Sequence, residues 1–190
     1  MLVSLLLSPS DPDRKSVGKW GLLAVFVTSI VAALLILIVS SDMSRVASEV
    51  PSAEMVTAWK HAVIKVDFSG LSMPASKIAK LQGTLAKPVH VLTAWNPGAI
   101  KRDAAFNDHA TAELRASLEK AKAYYDLEIY PAVGSDLAST WEELGFAIVG
   151  LDRDFIRKLG VQFGQVAFYE FHSDGRAYII WSVGDLVVEL

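Results

Sequence analysis

The chain contains no cysteine, and this absence removes several classes of chemistry at once. Without a thiol the protein has no disulfide, no thiolate metal site and no cysteine nucleophile, and it suits either side of a bacterial inner membrane. An excess of charge of one sign is also missing, because the net charge is only −3. A chain so balanced in charge is not expected to bind nucleic acid.

Motifs for metal, phosphate or nucleophilic chemistry are missing as well. No pair of histidines has a metal-ligand spacing, and the chain has no Walker A sequence, no dinucleotide-binding glycine pattern and no nucleophile elbow. The histidines are His61, His90, His109 and His172. Glu142 and Glu143 are adjacent carboxylates, but neighbouring acidic residues in a loop are usually solvated. We therefore predict no metal, no cofactor and no catalytic residue.

A charge-free hydrophobic run is the clearest feature that is present. As a helix, Trp20–Val39 spans roughly 30 Å at a rise of about 1.5 Å per residue, which matches the apolar thickness of a bilayer. A buried soluble helix would have a polar face over this length. A cleaved signal peptide, with Val39-Ser40-Ser41 as its cleavage site, would have a shorter apolar core. We predict a retained transmembrane helix.

Basic residues on either side of this run predict its orientation. Arg14, Lys15 and Lys19 precede it, whereas Arg45 is the only basic residue between it and Lys60. Because basic residues favour the cytoplasm, the N-terminus is predicted to be cytoplasmic and the C-terminal domain periplasmic, at a bacterial inner membrane. The chain is thus divided into a cytoplasmic segment (1–19), a transmembrane helix (20–39), a linker (40–52) and a globular domain (53–190).

Small residues form a stripe on the predicted transmembrane helix. Ala24, Thr28 and Ala32 recur at a spacing of four and make a candidate face for packing against another membrane helix. The span carries no ionisable side chain, so it offers no path for ions or protons. The predicted partners are therefore the lipid bilayer and integral membrane proteins of a larger complex.

Beyond the linker, helical and strand-like patterns alternate. Short apolar runs and apolar–polar alternation predict six strands: Val63–Phe68, Val89–Ala94, Leu127–Ala132, Phe146–Leu151, Val166–His172 and Arg176–Trp181. Helical patterns cover Ala53–His61, Pro74–Leu85, Ala104–Tyr124 with Asp103 as its N-cap, and Asp152–Leu159. This order predicts an α/β (α+β) fold, with a single mixed β-sheet of five to six strands covered by helices.

The stretch HVLTAWNPG at 90–98 marks the end of a buried strand and the start of a turned loop. Loops at strand ends are where α/β sheets place their sites. Polar and indole side chains are expected to converge there, from this loop, from the following helix and from the loop that contains Trp141. These candidates are Thr93, Trp95, Asn96, Asn107, Trp141 and Glu143. Such a set suits a small polar ligand or a segment of a partner protein.

The same residues carry a resemblance to a bacterial family. T-A-W-N-P at 93–97, Asn107, W-E-E at 141–143, Gly150 and F-G-Q at 163–165 resemble the family called domain of unknown function 3293. The resemblance extends over roughly Val63–Trp181 and adds Pro97 and Gln165 to the candidate positions. It implies no reaction and no ligand, and the predicted membrane anchor is an addition to the family pattern.

Two functions of different classes follow from these observations. The first is a single-span, membrane-anchored accessory or assembly subunit of a larger inner-membrane complex, which acts by protein–protein contact. Respiratory and photosynthetic assemblies are natural hosts for such a subunit. The alternative is a membrane-tethered enzyme or small-ligand-binding domain that uses the loops at Thr93–Pro97 and Trp141–Glu143. The absence of catalytic motifs favours the first.

Overall fold

The computed structural model describes residues 51–68, 71–74, 87–138 and 140–190. The predicted transmembrane helix 20–39, with Ala24, Thr28 and Ala32, lies outside these residues and stays a prediction, as does the cytoplasmic segment 1–19. Of the predicted helix Pro74–Leu85 only Pro74 is described, and it ends a strand. Within the described part, no helix is long and apolar enough to cross a membrane.

Polar caps start each α-helix of the described part. The helices are α1 (Ala53–Lys60), α2 (Ala104–Ala121) and α3 (Arg153–Gln162). The side-chain oxygens of Ser52, Asp103 and Asp152 accept a hydrogen bond from the backbone N–H three positions further on, at 3.2, 2.8 and 2.7 Å. These bonds satisfy donors that the first turn of a helix leaves unpaired. The helices predicted at these three places are confirmed.

The described strands form one sheet of eight. They are β1 (Val63–Phe68), β2 (Leu71–Pro74), β3 (Val89–Thr93), β4 (Glu128–Ser135), β5 (Glu142–Val149), β6 (Ala167–Phe171), β7 (Ala177–Trp181) and β8 (Val187–Glu189). Their order is β2-β1-β4-β5-β3-β6-β7-β8, and every neighbouring pair is antiparallel. The α/β class and the single sheet are confirmed, but the prediction of a mixed sheet with five to six strands is wrong.

The connections through the helices explain why a mixed sheet was expected. Helix α2 joins β3 to β4, and α3 joins β5 to β6. Strand–helix–strand order normally indicates parallel neighbours. Here another strand is inserted into each unit, because β5 lies between β3 and β4 while β3 lies between β5 and β6. Residues 89–171 thus form the β-α-β-β-α-β arrangement of interleaved, split units that is called ferredoxin-like.

The two strands that the sequence did not reveal, β2 and β8, are the outermost strands of the sheet. They have only four and three residues, respectively. A pattern with a period of two cannot be recognised over so short a stretch. Both strands therefore depend on hydrogen bonding to a neighbour, β1 and β7, for their existence.

The period of two along the strands separates the sheet into two faces. On one face α2 and α3 pack on the larger core, for example through Leu114 and Ile156. The other face carries Val91 and its neighbours, and here Trp59 of α1 meets Trp181 edge to face with ring centroids 5.5 Å apart. The candidate functional site lies on this second face, beside α1.

Candidate functional site

The T-A-W-N-P segment turns sharply away from the end of β3. Asn96, Gly98 and Ala99 all have positive φ, at 49°, 67° and 58°. Left-handed backbone is unfavourable for most residues, is tolerated by asparagine and costs glycine nothing. Asn96 and Gly98 therefore suit the turn, whereas Ala99 stores strain. The buried Pro97 begins the short 3-10 turn between them.

Asn96 uses both its backbone and its side chain to fix this loop. Its N–H donates to Asn107 Oδ1 at 3.1 Å, and its Oδ1 accepts from Asn107 Nδ2 at 3.2 Å and from the Arg102 N–H at 2.9 Å. Both asparagines are buried. The remaining Asn96 Nδ2 donates to Glu143 Oε1 at 3.0 Å. The reciprocal asparagine pair thus binds the loop to α2 and aims one donor at a carboxyl group.

Glu143 lies at the start of β5 and points to the face opposite α2 and α3. Its Oε1 also accepts from Trp141 Nε1 at 2.9 Å. Within the described residues nothing donates to its Oε2. Burial raises the pKa of Glu143 above 4.5, and the hydrogen bonds from Asn96 and Trp141 oppose only part of this effect. The prediction of a loop at Trp141–Glu143 is wrong in part, because Glu142 and Glu143 are the first residues of β5. Alternation along this strand places Glu143 at the cavity and Glu142 on the opposite face.

A cavity of about 420 Å³ opens beside Glu143. Its polar groups come from the ends of β3 and β4 and the starts of β5 and β6, which meet at one edge of the antiparallel sheet. Apolar side chains from α1 and from the strands line the rest. Among these are Met55, Trp59, Ile64, Val91, Ala132 and Ile179. The cavity therefore combines a polar edge with an apolar body, as small-molecule sites do.

Thr93 and Gln165 line the cavity, but the hydrogen bonds of their side chains fix the position of the loop. Thr93 Oγ1 donates to the Leu144 carbonyl at 2.7 Å and accepts from the Trp95 N–H at 2.9 Å. Gln165 Nε2 donates to the Trp95 carbonyl at 2.8 Å. Both side chains hold the backbone of the T-A-W-N-P segment in place. Their contribution to the site is positional.

Trp95 and Asn107 lie on the far side of this loop. Trp95 Nε1 donates to Thr111 Oγ1 at 2.7 Å. Trp95 and Asn107 line a smaller cavity of about 230 Å³. Asn96 and Trp141 line both cavities. Of the seven predicted site residues, five line the larger cavity, whereas Trp95 and Asn107 line only the smaller one. The five are Thr93, Asn96, Trp141, Glu143 and Gln165.

Sequence reasoning missed Trp59, Asp136 and Tyr169, which also line the cavity. The Tyr169 hydroxyl donates to the Trp59 carbonyl at 2.9 Å and so joins β6 to α1. Burial raises the pKa of Tyr169, and the nearby Glu143 carboxylate raises it further. Asp136 accepts from the Trp141 N–H at 3.2 Å. Strand alternation alone could have placed Tyr169 on this face, but no local signal connects it with Trp59.

A buried carboxylate, Glu170, faces the helical side of the sheet. Arg153 donates to it through Nε at 2.9 Å and Nη2 at 2.5 Å, and the Nε2 atoms of His90 and His172 lie 3.0 and 2.6 Å from its oxygens. Burial by itself would raise the pKa of Glu170, but the bonds from Arg153, His90 and His172 outweigh it and hold that pKa well below its ordinary range.

The chemistry open to the cavity is limited by what its residues offer. Within the described part of the chain, no three His, Asp or Glu side chains are placed to hold a metal ion. At the cavity, burial raises the pKa of Glu143 and so favours its neutral form. A carboxyl group in a cleft whose pKa is shifted by burial is a candidate for a binding or catalytic site.

Replacing Glu143 by glutamine tests whether the carboxylate of this side chain stabilises the fold. Glutamine retains an oxygen that accepts from Asn96 and Trp141. Because the folded-state pKa of Glu143 is raised, the ionised group opposes folding increasingly as pH rises above 4.5. We expect the free energy of unfolding of Glu143→Gln to equal or exceed that of the wild type at pH 7, with any gain vanishing in acid. Denaturant titrations at several pH values measure this.

The exposed neighbour Glu142 provides the matched control. Glu142→Gln removes a charge from the same strand at an exposed position. The free energy of unfolding of this variant should therefore equal that of the wild type at every pH. A clear loss of stability in Glu143→Gln at neutral pH would show that the carboxylate supports the fold, contrary to expectation.

Fold and site together define a small α/β domain with a ferredoxin-like core and a carboxyl-bearing cavity on the face of the sheet opposite α2 and α3. A family model described as "Protein of unknown function (DUF3293)" matches residues 92–168. The resemblance is therefore supported over the stretch from the end of β3 to the start of β6, which is narrower than Val63–Trp181. The stretch contains Thr93, Asn96, Pro97, Asn107, Trp141, Glu143 and Gln165. No curated protein and no solved structure matches the chain.

Proposed function

We propose that this domain binds a small, largely apolar molecule in the cavity beside Glu143. The observation that carries the proposal is the carboxyl group itself. One of its oxygens accepts hydrogen bonds from Asn96 and Trp141, and the residue lines a cavity whose other described residues are mainly apolar. Burying an ionisable group without a charged partner is costly. A group retained at such a cost is more readily explained by recognition than by stability.

The dimensions of the cavity support a small molecule as its occupant. Sites for such ligands typically have volumes of roughly 300–1,000 Å³, an apolar lining and a few placed polar groups. The cavity has about 420 Å³ and meets each of these conditions. A ligand with an apolar body and one polar head would place the body against α1 and the strands, and the head at Glu143.

The network around Glu143 supports binding with a fixed orientation. Asn96 is held by Asn107 and by the backbone of Arg102, so the donor it directs at Glu143 cannot swing away without breaking buried hydrogen bonds. A pre-organised polar group loses less entropy when the ligand binds. No reaction is assigned to this site.

Membrane attachment is a separate proposal that rests on the sequence alone. In it, residues 20–39 tether the domain to a bacterial inner membrane, where it takes part in a larger complex through protein–protein contacts. The stripe Ala24, Thr28 and Ala32 supports this proposal, as does the charge-free run around it. Ligand binding by the domain is compatible with such a setting.

Obstructing the cavity tests the binding proposal. Ala58 is an exposed residue of α1 that lines the cavity, and Ala116 is an exposed residue of α2 on the opposite side of the sheet. The full-length protein is titrated with N-phenylnaphthylamine, a neutral apolar fluorophore. We expect saturable binding by the wild type, about tenfold or more weaker binding by Ala58→Phe because its ring fills the cavity mouth, and unchanged binding by Ala116→Phe.

Both substitutions introduce the same side chain at an exposed helical position, so their cost to helix stability is similar. Melting temperatures establish that both variants are folded. Equal affinity in Ala58→Phe and the wild type, or no saturable binding at all, would contradict the proposal.

A further inference from the structure

We infer that the ligand of this cavity is a cation, an apolar amine whose protonated nitrogen pairs with Glu143. This inference rests on the proposed function and specifies the head group of the ligand. It is based on the charges at the cavity, on the hydrogen bonds of the carboxyl group and on a comparison with the buried Glu170.

The charged side chains in the described lining of the cavity are of one sign. This lining includes the carboxyl groups of Glu143 and Asp136 and contains no lysine, arginine or histidine. An anionic head group at Glu143 would meet a carboxylate without a compensating charge from these residues. A neutral head group would leave the carboxylate of Glu143 unbalanced, whereas a cation would balance it.

Glu143 presents its carboxyl group in a form suited to a donor. Both hydrogen bonds from the protein end on Oε1, and both come from neutral groups, the amide of Asn96 and the indole of Trp141. Oε2 receives none within the described residues. An ammonium group brings several N–H donors and a positive charge, and charge-assisted hydrogen bonds of this kind are about twice as strong as neutral ones.

Aromatic rings at the cavity also favour a cationic ligand. Trp59, Trp141 and Tyr169 line the cavity, and the indole of Trp141 is hydrogen-bonded to the Glu143 carboxyl group. The faces of such rings attract cations because their quadrupole is negative there. A carboxylate bordered by aromatic rings therefore favours an ammonium group over a hydroxyl group of similar size.

The comparison with Glu170 shows what Glu143 lacks. Glu170 is buried, and Arg153 balances its charge through two hydrogen bonds. The pKa of Glu170 is accordingly lowered, whereas that of Glu143 is raised. Among the described residues, the protein thus supplies a cation to Glu170 and none to Glu143. At Glu143 the ligand would bring the cation.

Three probes with six carbon atoms each test this inference: hexylammonium, hexanol and hexanoate. Each is used to displace N-phenylnaphthylamine from the full-length protein near neutral pH. In the wild type we expect hexylammonium to bind at least about tenfold more tightly than hexanol, with hexanoate the weakest, because a charge-assisted hydrogen bond is about twice as strong as a neutral one. In Glu143→Gln the preference for the amine over hexanol should disappear.

Glu142→Gln is the control, since it removes one negative charge next to the site but outside the cavity, and it should retain the preference for hexylammonium. If hexanol binds the wild type as well as the amine, or if Glu143→Gln keeps the preference, the inference of a cationic head group is overturned while the cavity remains a binding site. If the fluorophore itself does not bind, the proposed function fails first, and the two failures are thus distinguishable.

Discussion

Replacing Glu170 by alanine is expected to destabilise the protein by about 3 kcal/mol or more, because removing one partner of a buried ion pair leaves the other charge without compensation. Glu170 is only 2% exposed, and its carboxylate is the shared acceptor for Arg153, His90 and His172. Arg153 lies on α3, His90 lies on β3 and His172 directly follows β6, the strand that carries Glu170. One substitution therefore removes a connection among three elements. Chemical denaturation of the full-length protein, followed by tryptophan fluorescence, measures the loss.

A surface ion pair supplies the control for this prediction. Glu119 on α2 also pairs with two basic residues, Arg115 and Lys122, but all three side chains are at least 41% exposed. Exposed pairs contribute roughly 0–1 kcal/mol, so Glu119→Ala should hardly alter stability. A loss in Glu170→Ala no greater than that in Glu119→Ala would show that the buried cluster does not stabilise the fold.

The effect of Glu170 should also depend on pH in a definite direction. Its folded-state pKa is lowered, so the stability it contributes is fully present above the ordinary glutamate pKa of 4.5 and is lost as pH falls below that value. The difference in unfolding free energy between the wild type and Glu170→Gln should therefore shrink as the pH falls below 4.5. A difference that grows in acid would have the wrong sign for this explanation.

Replacing Gly145 by alanine is expected to cost about 3 kcal/mol, at the upper end of the usual range for overpacking. A Cβ atom at this position would lie 2.4 Å from the Leu92 carbonyl oxygen and 3.0 Å from Thr93 Cα. Both are backbone atoms of β3, so no change of side-chain rotamer can relieve the clash, and β3 would have to shift away from β5. Denaturant titration detects the loss of stability.

The same shift should disturb the site. Thr93 holds the T-A-W-N-P loop through its bond to the Leu144 carbonyl, next to Gly145, and the loop in turn places Asn96 against Glu143. We therefore expect Gly145→Ala to weaken binding of N-phenylnaphthylamine even at temperatures where the protein remains folded.

Gly134 is the matched control for Gly145, because it lies in the adjacent strand β4 and also lines the cavity. A Cβ atom there would meet only Ile64 Cδ1, at 3.5 Å, which is an ordinary contact. Gly134→Ala should change stability by less than about 1 kcal/mol, in the stabilising direction if alanine's lower unfolded-state entropy dominates. Equal effects of the two substitutions would show that the close approach of β3 and β5 is not what limits position 145.

Much of the local structure could be predicted from the sequence, because its causes are local. Asp103 and Asp152 mark the starts of α2 and α3, since a carboxylate before an amphipathic run caps the free N–H groups of the first turn. Asn96-Pro97-Gly98 marks a turn because its residues tolerate the backbone angles that the turn requires. The proximity of Asn96 and Glu143 was also anticipated, since loops at one edge of a sheet converge.

The functions of individual candidates could not be separated in the same way. Thr93, Trp95, Asn107 and Gln165 were predicted as site residues with Asn96 and Glu143, yet their polar groups bond to the loop and to its neighbours. Which polar atom bonds to the protein and which faces a cavity depends on distances between residues far apart in the chain. Asn96 and Glu143, for example, are 47 positions apart.

The sequence by itself determined what depends on composition and on near neighbours: the exclusion of thiol chemistry, the helix starts, the central strands and the turn after β3. Only the tertiary structure decided that β5 and β3 are inserted into the two strand–helix–strand units, which makes the sheet antiparallel. It also decided which of the adjacent glutamates, Glu142 or Glu143, lines the cavity, because register against β4 determines the face on which each residue lies. Likewise it gave Glu170 an arginine and left Glu143 with neutral donors, a difference that arises from packing and leaves no local pattern in the chain.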